Sequence, residues 1–496
     1  MARKSVDPST VKGRLGISNH VQQKLTASSP GVIDEQPTRH QFRDVAEFYR
    51  TMPVFDRRIH VIGMGNVGRF MAHALLGIPN PPPVTLIFHK PQTLKEWNEG
   101  PQEIRIKTHD AVEARSGFEA ELAILRRRFH GQEVTFEDED TLHPSKTASD
   151  ESSQSPKQQV LQGESTEPIH ALIVCVKTTQ VLSALSSVRH RITPHSVVLF
   201  LQNGMGTIDE VNEHIFPNPS KRPFYMLGIN SHGVNSQPND LFAATHAGQG
   251  TLSLGLLPHT HYQPQAPYSP RSEFRPTLPS NPPGAPPSTP KHPAPATSSD
   301  PAPGSPEFPW TALSRYLLRT LLRTPVLCAT SFSPPDLLML RLEKLAVNSI
   351  INPLTVLLDA RNGAVLYNYA LTRVMRLLLA ETSLVLRALP ELQHIPGVVH
   401  RFDPGRLETL VVGVASKTRE NVSSMLADVR AGRRTEVEYM NGWVVRRGEE
   451  MGVRCVMNFM IKELVKGKQG MVQWELGEDV PLVGLGSSGT DRDCKS

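Results

Sequence analysis

Ile59-His60-Val61-Ile62 runs directly into Gly63-Met64-Gly65-Asn66-Val67-Gly68, and a helical pattern from Val67 to Leu76 opens inside that motif. A buried strand, a glycine-rich turn and a helix in immediate succession leave few folds open. The three glycines permit a tight turn, a close backbone approach to a pyrophosphate and close packing of helix on strand. The helix start then offers unpaired N–H groups and a partial positive charge to phosphate. The alternative reading is a tight βα turn with no ligand.

Further apolar strands are expected at Val84 to Phe88, Ala171 to Val176, Val197 to Leu201 and Phe224 to Ile229, with a helix at Val181 to Val188. Buried strands alternating with helices indicate a parallel α/β sheet. The expected fold is a Rossmann-type α/β domain at residues 56–257, followed by an all-α domain at 310–467. The helical patterns there are Trp310 to Leu322, Pro335 to Val356, Tyr369 to Leu389 and Thr435 to Gly452.

The other segments have a different composition. Residues 1–55 are polar and weakly periodic, which reads as a disordered arm. A Ser-, Gln- and acid-rich insert covers about 137–167. Residues 258–309 hold 17 of the 43 prolines and read as a disordered, partly extended linker. The end, 468–496, reads as a flexible tail. The arm carries Arg3, Lys4, Lys12, Arg14 and Lys24 against Asp7, so the compartment stays open between cytoplasm and mitochondrion.

The net charge of +5, from 53 basic and 48 acidic residues, is too small to point to nucleic acid. No apolar run reaches the roughly 18 residues that span a bilayer. The four cysteines, Cys175, Cys328, Cys455 and Cys494, form no Cys-x-x-Cys pair, so neither a metal site nor a disulfide framework is expected.

Three strand-end or loop positions could serve a ligand. Strand Val84 to Phe88 ends in His89-Lys90, where NAD-preferring sites carry an acid; a basic Lys90 suits a 2′-phosphate and hence NADPH. It could equally be a solvated strand-end lysine. Val176-Lys177-Thr178-Thr179-Gln180 and Gln202-Asn203-Gly204 follow later strands, at the edge where open α/β sheets bind ligands. Ordinary turn chemistry also favours Asn-Gly.

In the helical half, Lys344-Leu-Ala-Val-Asn348-Ser-Ile-Ile-Asn352-Pro353 sets an amine and two amides on one face of an apolar helix. Buried polar groups need partners, which suggests a cleft, although a snorkelling lysine and capping amides fit too. Pro353 disfavours helical geometry at Asn352, so a helix end or kink is expected there. Further on, Ser423-Ser424-Met425-Leu426-Ala427-Asp428-Val429-Arg430 precedes Thr435-Glu436, where Glu436 is expected to start a helix. Ser424 could bind a carboxylate; Ser423 or Thr435 could simply cap a helix.

Taken together these motifs resemble the ketopantoate reductase (2-dehydropantoate 2-reductase) family. They are Gly63 to Gly68, Val176-Lys177, Gln202 to Gly206, Lys344 to Leu354 and Ser423 to Gly442, with His246 to Gly250 and Gly255 between them. The resemblance leaves out the arm and both inserts. It implies NADPH-dependent reduction of 2-dehydropantoate to pantoate, in pantothenate and coenzyme A biosynthesis. Lys344 would be the proton donor and Glu436 its catalytic partner. Asn203, Asn348, Asn352 and Ser424 would hold substrate. Gly63, Met64, Gly65, Asn66, Val67, Gly68, Lys90, Lys177, Gln180 and Asn203 would hold cofactor. The partner is then a small 2-oxo acid, with no nucleic acid and no membrane, and a homodimer is the default assembly. The arm and inserts support a second reading, a catalytically inactive relative acting as a nucleotide-responsive scaffold or a mitochondrial gene-expression factor.

Overall fold

A computed structural model describes residues 57–125, 127–129, 132–134, 163–237, 240–258 and 310–477. These belong to one contact unit that begins at Asp56. The expected disordered arm, most of the acidic insert, all but the first residue of the Pro-rich linker, and residues 478–496 lie outside the described residues.

The first half is built on an eight-stranded sheet. In chain order its elements are β1 (Ile59–Ile62), α1 (Asn66–Leu75), β2 (Val84–Phe88), α2 (Pro91–Glu99), β3 (Glu103–Thr108), β4 (Ala111–Ser116) and β5 (Glu119–Leu122). A short pair, β6 (Arg127–Phe129) and β7 (Gln132–Val134), precedes β8 (Ile169–Val174). Then follow α3 (Val181–Val188), β9 (Ile192–Phe200), α4 (Thr207–His214), β10 (Phe224–Asn230), β11 (Gly233–Ser236), β12 (Ala243–Gly248) and β13 (Leu252–Leu256).

The sheet order is β14-β13-β10-β9-β8-β1-β2-β5, where β14 is Ala329–Ser331. Strands β10, β9, β8, β1, β2 and β5 run parallel, in the doubly wound order of a Rossmann fold. Strand β13 reverses against β10, and β14 runs parallel to β13. The order reverses direction between β1 and β8, so the loops after these two strands frame a crevice at the carboxyl edge. Ile59, Val61, Leu172 and Ile173 are fully buried, as strands covered on both faces require.

A second sheet, β11-β12-β3-β4, was not expected from the sequence. Strand β3 alternates, with Ile104 and Ile106 buried between polar neighbours, and β4 lies almost wholly in solvent. Such strands carry little apolar signal.

The second half is helical after β14: α5 (Ala312–Leu322) precedes that strand, and α6 (Pro334–Leu358), α7 (Tyr369–Ala388), α8 (Val398–Arg401), α9 (Pro404–Lys417), α10 (Ser424–Arg430), α11 (Asn441–Glu450) and α12 (Val456–Gly477) follow it. Helix α6 starts where Ser333 accepts the Asp336 N–H and Pro334 fills the first turn, and it stops at Asp359 in the left-handed region. Its apolar face, including Leu342, Leu345, Ile350 and Val356, enters a core shared with α7, α9 and α11.

Two expectations need correction. Of the helix end or kink expected at Asn352, the end is not found: helix α6 continues through Pro353 to Leu358. Proline has no N–H for the Ser349 carbonyl, and Asn441 supplies the missing donor, its Nδ2 lying 2.9 Å from Ser349 O. The helical region also extends beyond residue 467, because α12 runs to Gly477. Among the described residues no helix is long and apolar enough to cross a membrane.

Candidate active site

The glycine motif adopts the expected turn. Gly63 has φ +94°, and a Cβ there would lie 2.5 Å from the Val176 nitrogen on the neighbouring loop. A Cβ on Gly68 would lie 2.1 Å from the Gly63 carbonyl oxygen, so this glycine lets α1 pack on β1. Gly65 differs, because a Cβ would meet nothing within 4 Å. Its backbone faces open space at the N-terminus of α1, where no side chain caps the helix and no acid occupies the first turn. This is the donor set an anionic pyrophosphate requires.

Around the turn, Asn66 donates to the Val234 carbonyl at 3.2 Å and accepts from Arg69, which fixes α1 to the second sheet. Met64 and Val67 are half-buried beside it. Lys90 is exposed at the start of α2, one strand away. Gln180 is exposed at the end of a 3-10 turn, Thr178–Gln180. Lys177 is already engaged: its ammonium lies 2.8 Å from Asp428 Oδ2, a buried carboxylate of α10.

Beyond β8 and β9 the sheet edge meets the helical half. Glu436 is buried there, with 3% of its surface exposed. The Thr178 backbone N–H donates to its Oε1 at 2.9 Å. The Thr178 hydroxyl lies 2.8 Å from the same oxygen and 3.0 Å from the Asn203 carbonyl oxygen, and its one hydrogen serves one of them at a time. Asn203 Nδ2 is 3.5 Å from Glu436 Oε2. Glu436 does not start a helix as expected. It precedes a 3-10 turn at Val437–Tyr439, and α11 begins only at Asn441, because the carboxylate is held by donors from the sheet edge.

The Asn203 loop is held from two sides. Met205 N–H donates to the Tyr439 carbonyl at 2.8 Å, and Arg341 Nη2 donates to the Gly204 carbonyl at 3.2 Å. Gly204 has φ +81°, and a Cβ there would lie 2.4 Å from Tyr439 O.

Lys344 lies one turn along α6 from Arg341. Its ammonium donates to the Asn230 carbonyl, at the end of β10, at 2.8 Å. Desolvation lowers its pKa from 10.5 to about 8; Glu436 opposes this shift and Arg341 adds to it. Asn348, half-buried on the same face, makes no side-chain hydrogen bond among the described residues. Asn352 is buried, its Nδ2 3.6 Å from the Met440 sulfur, a weak acceptor. Ser424 is exposed at the first position of α10, whereas Ser423 is the cap, accepting from Leu426 N–H and bonding to Thr355. The structure therefore brings Asn203 to Glu436 and sets Lys344 in reach of the Glu436 field. Thr178, Asn230, Arg341 and Asp428 also take part, although the sequence reading gave none of them a role. The signal for Arg341 was its place three residues before Lys344, on the same helical face.

Two sequence models cover most of the described chain. Residues 59–259 match the family described as ketopantoate reductase PanE/ApbA, and residues 336–469 match its C-terminal part. The chain belongs to the ketopantoate reductase family of oxidoreductases. Among its family relatives, the ketoisovalerate reductase of Gibberella fujikuroi is 26% identical over 421 residues, covering 79% of this chain and 78% of that one. The probable 2-dehydropantoate 2-reductase of Schizosaccharomyces pombe is 25% identical over 308 residues, covering 62% and 75%. The fold matches that of D-mandelate dehydrogenase, solved with NADH and anilino(oxo)acetate, at a TM-score of 0.54 and 14% identity over 84% of this chain and 99% of that one. It also matches a PanE/ApbA family ketopantoate reductase from Ralstonia eutropha JMP134, at 0.52 and 16% over the same shares.

Proposed function

We propose that this family member reduces a branched 2-oxo acid to its 2-hydroxy acid with NADPH, and that 2-dehydropantoate is the substrate, giving pantoate for pantothenate and coenzyme A synthesis. The observation that carries the reading is the placement of Lys344. An ammonium whose pKa is lowered to about 8 by desolvation is held on the Asn230 carbonyl, within the field of the buried Glu436. Ketoisovalerate is the second substrate to consider, because the relative from Gibberella fujikuroi is named for it and spans more of this chain than the relative from Schizosaccharomyces pombe.

In this reading residues 56–257 hold the cofactor and 310–467 supply the substrate side. The Gly63 to Gly68 turn receives the pyrophosphate, and Lys90 the 2′-phosphate. The nicotinamide supplies a hydride to the carbonyl carbon when bound. The protein's part is position, charge and a proton. Lys344 releases its bond to Asn230, turns to the carbonyl oxygen and donates its proton as negative charge builds there. Glu436 keeps the ammonium protonated enough to donate, and Thr178 and Asn203 hold Glu436 in place. Asn348 has its amide free for substrate polar atoms. Asn352 would exchange a weak sulfur contact for a substrate hydroxyl, and Ser424 would meet the carboxylate at the cleft mouth.

The test is steady-state oxidation of NADPH or NADH by purified protein with 2-dehydropantoate or ketoisovalerate. The reading expects turnover with NADPH and a higher kcat/KM for 2-dehydropantoate. A preference for ketoisovalerate would transfer the substrate assignment to that acid. Absence of turnover with both acids and both cofactors would favour the scaffold reading.

A further inference from the structure

The His246 to Gly250 motif has no part in the chemistry so far, yet it meets the segment that carries the Lys344 acceptor. His246 lies on β12 and His232 in the link between β10 and β11, and both are buried. His232 Nε2 lies 3.0 Å from the Leu327 carbonyl oxygen, on the turn before β14. A carbonyl only accepts, so Nε2 carries a proton. The Gly250 N–H donates to His232 Nδ1 at 3.1 Å, so Nδ1 carries none. These two bonds make His232 a neutral imidazole of one tautomer. His246 Nε2, 3.1 Å from the same Nδ1, is then the donor in that contact. Phe70 of α1 packs on both rings, with centroids 5.0 Å from His232 and 4.8 Å from His246.

The His232 backbone carries this order to the lysine. Its N–H donates to Asn230 Oδ1 at 3.1 Å, and the Asn230 carbonyl accepts the Lys344 ammonium at 2.8 Å. A Cβ at Gly250 would lie 2.4 Å from the Ser231 carbonyl carbon and 2.5 Å from His232 N. Only glycine therefore lets the two backbones come close enough for the Nδ1 bond. Ser231 adds a second tie, its N–H donating to the Thr251 carbonyl at 3.0 Å. We infer that His232 is a positioning residue for Lys344: its ring, clamped between Gly250 and Leu327 and backed by His246, fixes Asn230 so that the Asn230 carbonyl faces the ammonium. The inference rests on the reading of Lys344 as proton donor. His232 and His246 touch neither substrate nor cofactor in this role; they set where the donor rests between turnovers.

The experiment is the titration of Lys344 in the free protein, read by NMR on the full chain with isotope-labelled lysine side chains, where Lys344→Arg assigns the resonance. Glu436 and Arg341, the charged groups that act on Lys344, stay in place in the other variants. A carbonyl that accepts from the ammonium favours its charged form. Asn230→Ala removes Oδ1 but keeps the backbone carbonyl. Loosening that carbonyl should lower the midpoint from about 8 by roughly half a pH unit or more. His232→Leu offers no acceptor to the Gly250 N–H and should lower the midpoint likewise. His232→Asn keeps an acceptor at the δ position and should titrate near the wild type. A loss of packing alone would lower the Tm of both His232 variants without separating their titrations. An unmoved or raised midpoint in Asn230→Ala overturns the inference, and so do coincident midpoints in His232→Leu and His232→Asn. If His232→Leu does not fold, the half-buried Asn230→Ala decides alone. The titration needs no substrate or cofactor. A protein inactive on 2-oxo acids therefore leaves the inference standing, and its failure leaves the proposed activity to its own assay.

Discussion

The Lys344 ammonium donates to the Asn230 carbonyl oxygen at 2.8 Å, which ties the middle of α6 to the carboxyl end of β10. Only the protonated amine can donate to substrate, and desolvation brings its pKa to about 8. In the proposed role, the rate of reduction should be full below that pH and fall as pH rises through it. Glu436 raises this pKa, so Glu436→Gln should shift the alkaline limb of kcat/KM to lower pH as well as lower its height. A limb that stays in place or moves upward would remove Glu436 from the proton donor's surroundings.

Arg341 acts on the same lysine with the opposite sign. Its charge lowers the Lys344 pKa, and its Nη2 bond to the Gly204 carbonyl holds the Asn203 loop. Arg341→Leu should move the alkaline limb to higher pH and reduce kcat about tenfold through the loosened loop. Arg341→Lys keeps the charge, so its limb should stay near the wild-type position. A Leu variant with reduced kcat and an unmoved limb would show that Arg341 serves the loop alone.

The glycines of the first turn should separate folding from binding. Gly68→Ala sets a Cβ 2.1 Å from the Gly63 carbonyl oxygen and should cost several kcal/mol of stability, read as a lowered Tm. Gly65→Ala meets nothing within 4 Å and should fold normally. It should nevertheless weaken dinucleotide binding in a fluorescence titration, because the added methyl stands where the pyrophosphate approaches. Wild-type affinity in Gly65→Ala would place the phosphates elsewhere.

Asn441 completes the hydrogen bonding that Pro353 interrupts. Its side chain is fully buried and donates to Ser349 O at 2.9 Å and to Asn458 Oδ1 at 3.0 Å. Asn441→Leu should destabilise the protein by about 2 kcal/mol, since it leaves a buried carbonyl unpaired. Adding Pro353→Ala restores a backbone N–H for that carbonyl and should recover part of the loss in urea unfolding. Additive losses would mean the two residues are not coupled.

Much of this is legible in the sequence. Largely apolar strands such as Ile59–Ile62 and Ala171 to Val176, and the glycine turn, announce a parallel α/β sheet through local composition alone. The polar stripe from Lys344 is visible because helical periodicity is local. What could not be read depended on contacts between distant segments. The continuation of α6 through Pro353 relies on Asn441, 88 residues beyond the proline in the sequence, supplying a donor. Glu436 reads as a helix start, yet donors from Thr178 hold it outside one. Lys177 reads as a cofactor contact from the sequence, yet its ammonium pairs with Asp428 of α10. Strands β3 and β4 stayed hidden because half their side chains or more face water.

The central claim is that Lys344 delivers the proton, and the kcat of Lys344→Ala measures it most directly. With saturating NADPH and 2-dehydropantoate, or ketoisovalerate if that proves the substrate, the variant should keep the wild-type Tm and lose about a hundredfold or more in kcat. A variant that folds normally and turns over at the wild-type rate would contradict the account.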